Sequence, residues 1–174
     1  MDSRSMINNG LTKTSTLTLL LLTFMALILG FSIFTEATGG IILDTIGPVS
    51  DAQALLASMS EAQKLAHFRL TLWLDMLFPL AYGGLFAGLT LRYFQTYGKW
   101  LVLPALLVIP VDITENIIQL LALSGSESLL GVKALLTPTK FILFQLSAGL
   151  ALISVLVAAA RRLWGRQKAN QTEI

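Results

Sequence analysis

The chain has 174 residues, 55% of them hydrophobic and 13% charged, and its formal net charge is +2. A soluble domain of this length carries about 25% charged residues, so the composition excludes that class. There is no cysteine and only one histidine, which excludes disulfides and thiol chemistry and argues against a bis-histidine haem, so we expect no cofactor.

Four apolar runs predict four membrane spans, because each approaches the ~20 residues that a helix needs to cross the hydrocarbon. The spans lie at about residues 17–34, 68–91, 100–123 and 135–160. The first run is longer than a signal-peptide core and "FTEATGG" is a poor cleavage site, so we expect an uncleaved span. The sequence therefore predicts an all-α, polytopic membrane protein with a four-helix transmembrane bundle. Residues 16–160 would form this membrane domain, between a flexible N-terminus (1–15) and a basic tail (161–174).

The longest connection, between spans one and two, is expected to hold a short amphipathic helix. Ser50 or Asp51 would cap its N-terminus, and its apolar side would rest on the membrane surface or cap the bundle. Ser60 is expected to start a second helix that runs without interruption into span two. Pro79 would then kink that span.

Lysines and arginines predict the orientation. Eight of the twelve cations would share one side of a four-span protein; they are Arg4, Lys13, Arg92, Lys99, Arg161, Arg162, Arg166 and Lys168. The other side would hold Lys64, Arg69, Lys133 and Lys140. The positive-inside rule then places both termini in the cytoplasm of a multi-pass cell-membrane protein, typical of a bacterial inner membrane. This distribution follows membrane topology, so no nucleic-acid partner is expected.

Polar side chains inside three of the spans form the candidate site. They are Asp75 and Tyr82 in span two, Asp112, Glu115, Asn116 and Gln119 in span three, and Lys140 in span four. The span-three residues follow i, i+3, i+4 and i+7, which places them on one helical face. The depth of each residue in its span predicts that all of them converge in the outer half of the bilayer.

A charged side chain in mid-bilayer costs about 2.5–3.5 kcal/mol on insertion scales, so these carboxylates must face inward and pair, hydrate or protonate. Lys140 is expected to neutralise one of them, and Arg69 either neutralises another or extends as an interfacial residue toward the membrane surface. The third would keep a proton, on Glu115 or Asp75, which makes these two the candidate catalytic residues. His67 is expected to be an interfacial residue.

A metal site is not expected. Asp75, Asp112 and Glu115 are hard oxygen ligands, but there is no histidine pair and no spaced D-x-D loop. In addition, the ammonium group of Lys140 would compete with a metal ion for the same carboxylates.

The order of motifs resembles the EXPERA group, to which the sterol isomerases and the sigma-two receptor belong. The resemblance rests on an acid in span two followed by "FPLAY", a short loop with "GKW", a proline-bearing third span and a basic tail. It implies a four- or five-helix membrane domain with an acid-lined pocket for sterols or amphiphilic amines, and Asp75 as the acid of span two. Span one lacks the acid often found there, and the D-x-x-E-N face and Lys140 have no counterpart. A bacterial four-span protein outside that group fits the same signatures.

Several functions stay open. A lipid or amphiphile site, with or without acid–base chemistry by Asp75 or Glu115, is favoured by the polar cluster beside apolar walls. A non-enzymatic accessory subunit of a larger membrane complex would use the glycine faces to bind a membrane-protein partner. A proton or ion path would use the intramembrane carboxylates, and a purely structural lock would use the ion pairs to fix helix register.

Overall fold

The computed structural model describes residues 10–94 and 97–171, with side chains up to Trp164. All regular secondary structure in these residues is helical. Four helical segments are long and apolar enough to cross a membrane; they are Thr14–Thr38, Glu61–Phe94, Gly98–Leu123 and Leu130–Trp164. The all-α fold and the four long apolar helices predicted from the sequence are therefore confirmed.

The first helix, α1 (Thr14–Phe34), packs at the edge of the bundle. Leu17 is its one buried residue, and large apolar side chains such as Leu22 and Ile33 stand exposed on its outer side. The length and composition of this helix are sufficient for it to cross a membrane.

A capping segment, which we define as residues 35–60, closes one end of the bundle. It contains two short 3₁₀ turns, Thr35–Thr38 and Leu43–Thr45, and the helix α2 (Val49–Ser58). The expected N-cap at Ser50 or Asp51 is wrong. Pro48 holds the N-cap position with no side-chain hydrogen bond, and the hydroxyl of Ser50 instead pairs with the Asp51 carboxylate in an exposed position.

The apolar side of α2 is buried against the bundle. Its cluster comprises Leu43, Ala52, Leu56, Met59, Ala122, Leu123 and Leu130. Of the two positions expected for this helix, the structure therefore shows the cap on the bundle.

The second long segment is helical in three parts. Ser60 starts α3 (Glu61–Leu70) through a capping box with Gln63, as the sequence predicts. The segment then passes through a π-helical turn (Thr71–Asp75) before α4 (Phe78–Phe94). The expected uninterrupted helix is thus wrong, and the irregularity falls one turn before Pro79, whose missing N–H frees the carbonyl of Asp75.

The last two spans follow after a short helix, α5 (Gly98–Leu101). They are α6 (Leu103–Leu123), which contains Pro110, and α7 (Leu130–Gln171), which contains Pro138. Helix α7 begins five residues earlier than the sequence predicts and continues beyond residue 160. The basic tail expected at 161–174 is therefore helical up to Gln171.

Helix α4 lies at the centre of the bundle and contacts α1, α6 and α7, while α6 also packs on α7. Glycines permit these close approaches. A Cβ atom on Gly88 would lie 2.6 Å from Leu17 Cδ2, and one on Gly83 would lie 2.5 Å from Ile109 Cγ1. The glycine faces expected to contact neighbouring helices thus contact α1 and α6 of the same chain.

Candidate functional site

Three helices and the capping segment bring charged side chains together at one end of the bundle. At the centre is Lys140 of α7, whose ammonium group lies 2.7 Å from Glu115 Oε2 and 3.5 Å from Asp112 Oδ1, both on α6. Its third partner is the carboxylate of Asp44, with which it forms a close ion pair. Lys140 therefore lies within ion-pair distance of three carboxylates.

A second lysine, Lys133, supports Glu115 from the other side. Its ammonium nitrogen lies 3.2 Å from Glu115 Oε1 and donates to the Ile46 carbonyl at 2.7 Å and to Thr137 Oγ1 at 3.2 Å. The Thr137 hydroxyl in turn donates to Glu115 Oε1 at 2.5 Å. Glu115 is fully buried, and two lysines and a hydroxyl offset the cost of removing its charge from water.

The amides on α6 connect this cluster to the rest of the fold. Gln119 Nε2 lies 3.2 Å from both Asp44 Oδ1 and Asn116 Oδ1. Asn116 Nδ2 donates to the backbone carbonyl of Asp75 at 2.9 Å. This carbonyl is the one that Pro79 deprives of its helical donor, so Asn116 satisfies an acceptor that would otherwise be buried without a partner.

Tyr82 ties α4 to α6. Its hydroxyl donates to Asp112 Oδ2 at 2.7 Å, and its ring meets the ring of Phe144 on α7 edge to face, with 4.9 Å between the ring centroids. Further rings, those of Phe24, Phe78 and Phe86, surround it from α1 and α4. An apolar aromatic wall therefore adjoins the polar cluster.

Between the wall and the cluster lies a cavity of about 230 Å³, which we call the acidic pocket. It is lined by Asp44, Asp75, Phe78, Tyr82, Asp112, Lys140, Phe141, Phe144 and Gln145. Phe141 and Gln145 are exposed on the outside of α7, whereas Asp75 and Asp112 are buried. The acidic pocket thus opens sideways, between α4 and α7, at the apolar flank of the bundle.

Asp75 differs from Asp44, Asp112 and Glu115 because, among the described residues, it forms no ion pair with a lysine. It is 3% exposed, and its Oδ2 atom is buried with no hydrogen-bond partner among the described residues. The π-helical turn ends at this residue, so a local irregularity of the helix sets its position. An unpaired buried carboxylate is costly unless a proton or a ligand compensates it.

The structure brings together every residue of the expected site, but Arg69 and His67 have surroundings that differ from the expected ones. Arg69 is exposed and lines a separate outer groove with Phe34 and Trp73, so its expected role in neutralising a carboxylate is wrong. His67 is fully buried, not interfacial, because its Nε2 atom accepts a hydrogen bond of 3.1 Å from the Leu43 N–H of the capping segment.

Three members of the cluster were missed from the sequence: Asp44, Lys133 and Thr137. Lys133, Thr137 and Lys140 follow i, i+4 and i+7, a helical face that the sequence does contain. That face is visible only if the last helix begins before residue 133. Asp44 lies in an irregular segment and leaves no periodic signal.

Comparisons with known proteins identify no similar protein. No family model, curated protein or solved structure matches the chain.

Proposed function

We propose that the chain is a multi-pass membrane protein whose acidic pocket binds a lipid or another amphiphilic molecule. The observation that carries this proposal is the sideways opening of a buried, charged pocket at a flank where large apolar side chains stand exposed. The polar end of a ligand would contact Asp75, Asp112 and Lys140. Its apolar part would extend out of the pocket, packed against the aromatic wall.

The size of the pocket supports a ligand that enters only in part. Small-molecule sites usually measure roughly 300–1,000 Å³ and enclose most of their ligand, whereas this cavity measures about 230 Å³. A head group and the first carbons of a chain fit such a volume. The remainder would stay in the bilayer, against Phe141 and the outer side of α7.

Membrane insertion and orientation are part of the same proposal. The exposed apolar side chains of α1 and α7, among them Leu29 and Leu152, are those of a surface in contact with lipid. Lys133 and Lys140 form ion pairs inside the buried cluster. Only Lys64 and Arg69 of the four cations on this side then remain to be compared with the eight cations on the other side. The charge asymmetry is therefore stronger than the sequence alone indicates, and it supports a cytoplasmic position for both termini.

Within this pocket, Asp75 is better suited than Glu115 to acid–base chemistry. Both oxygens of Glu115 are engaged by lysines, so a proton on it would compete with two ion pairs. The Oδ2 atom of Asp75 has no such partner in the described part of the chain. If the bound molecule reacts, Asp75 is the residue to carry the proton.

Mass spectrometry of molecules that co-purify with the full-length protein tests the proposal. Wild-type protein should retain about one defined lipid or amphiphile per chain. Asp112→Asn should lower this occupancy, because it removes a charge while keeping an oxygen to accept from Tyr82. Phe144→Trp should lower it by filling the pocket. The exposed Asp51→Asn is the matched control and should retain wild-type occupancy.

The alternative, an accessory subunit without a ligand, predicts a different result. A stoichiometric membrane-protein partner would then co-purify, Asp112→Asn would not affect it, and no bound molecule would be found. The glycines that would serve such docking already contact helices of the same chain. A proton path has less support still, because every buried charged side chain in the described residues belongs to this one end of the bundle or, for His67, borders it.

A further inference from the structure

Three carboxylates from separate parts of the fold converge at the polar end of the acidic pocket. Asp44 comes from the capping segment, Asp75 from the π-helical turn and Asp112 from α6. One oxygen atom of each lies within 4.8 Å of the other two. An ion that binds oxygen at 2.3–2.6 Å, the range typical of Ca²⁺, can bridge oxygens at this separation.

A second observation points to a ligand at this position. Asp75 is 97% buried by area, given its 3% exposure, and its Oδ2 atom has no hydrogen-bond partner among the described residues. Its side chain lines the cavity. A buried acceptor directed into a cavity without a donor is a group that a ligand would satisfy.

The charges of the cluster give the sign and the size of that ligand's charge. Asp44, Asp75, Asp112 and Glu115 carry four negative charges when ionised, against the two positive charges of Lys133 and Lys140. Lys133 pairs with Glu115, and Lys140 pairs with Glu115, Asp44 and Asp112. Two negative charges therefore have no counter-charge, and one divalent cation would balance them.

We propose that Asp44, Asp75 and Asp112 bind one divalent cation of the size of Ca²⁺ at the polar end of the acidic pocket. Water in the cavity would supply the remaining ligands, as is common for hard cations. The sequence alone argues against a metal because Lys140 competes for three acids. The fourth acid, Asp44, adds a negative charge that the sequence argument does not count. Lys140 contacts Asp44, Asp112 and Glu115 together, so the cation would share Asp44 and Asp112 with this ammonium group. This site goes beyond the proposed ligand and does not require it.

Calorimetric titration of Ca²⁺ into chelator-treated, full-length protein in detergent micelles tests the proposal. Wild type should bind one Ca²⁺ per chain. Asp75→Asn should weaken binding at least tenfold, because it removes the charge of a carboxylate whose Oδ2 atom has no hydrogen-bond partner in the described part of the chain. Asp51→Asn, an exposed acid of the capping segment, should bind as wild type. Mg²⁺ should bind more weakly than Ca²⁺, since it demands shorter bonds and a regular octahedron.

Two results would overturn the cation site: no Ca²⁺ binding by folded wild-type protein, or equal binding by wild type and Asp75→Asn. If Asp75→Asn loses helicity by circular dichroism, Asp44→Asn replaces it with the same expected tenfold loss. Tb³⁺ luminescence excited through Tyr82, and its displacement by Ca²⁺, gives an independent readout. Co-purification of a lipid without Ca²⁺ binding would remove this inference alone, and Ca²⁺ binding without any co-purified molecule would remove only the proposed lipid function.

Discussion

The hydrogen bond from Asn116 to the Asp75 carbonyl should stabilise the fold because of Pro79. Proline at this position removes the backbone donor four residues after Asp75, and Asn116 Nδ2 replaces it at 2.9 Å inside the bundle. Asn116→Leu keeps the branched shape of the side chain and removes the donor, together with the oxygen that accepts from Gln119 Nε2. A buried acceptor left without a partner costs about 1–3 kcal/mol, so we expect a loss of that size in the free energy of unfolding.

The reasoning is tested by a double-mutant cycle with Pro79→Ala. An alanine at this position restores an N–H that can reach the Asp75 carbonyl, so Asn116→Leu should cost about 1 kcal/mol less in that background. Reversible unfolding in mixed micelles, followed by circular dichroism, measures all four proteins. Additive effects, within about 0.3 kcal/mol, would refute the idea that Asn116 compensates for the proline.

Two further stability predictions follow from the same packing. Lys140→Met should destabilise the fold by about 3–5 kcal/mol, since it leaves buried carboxylates without their cation, and adding Glu115→Gln should recover part of this loss. Lys64 forms an exposed ion pair with Glu61, so Lys64→Met should cost less than about 1 kcal/mol. Equal losses in the free energy of unfolding for the two lysine variants would contradict the buried ion-pair cluster. Gly88→Ala should destabilise the fold, because its Cβ atom would lie 2.6 Å from Leu17 of α1. Gly131→Ala should be neutral or stabilise by up to about 1 kcal/mol, because no atom lies within 4 Å of its Cβ position. A higher thermal-unfolding midpoint for Gly88→Ala than for Gly131→Ala would refute the packing of α1 on α4.

The helical fold and the polar face of α6 could be predicted from the sequence because both depend on helical periodicity. The i, i+3, i+4, i+7 spacing from Asp112 to Gln119 records a buried face directly. Tyr82 and Lys140 followed from the depth of each residue within its span. These arguments need only the local chain.

The rest of the site depends on contacts that no local pattern records. Asp44 reaches the cluster because the capping segment folds back over the bundle. His67 is buried because a backbone N–H of that segment supplies its partner, so a position at a span end that reads as interfacial becomes interior. Lys133 was missed because the fourth span was predicted at 135–160, whereas the helix begins at Leu130.

A density map of the full-length protein in lipid nanodiscs would show whether the acidic pocket holds a ligand. We expect elongated density between α4 and α7, with its polar end within hydrogen-bonding distance of Asp112 and its apolar part running past Phe141 and Phe144 into the bilayer. A map that shows this cavity closed by side chains, with lipid only around the outer surface of the helices, would contradict this expectation.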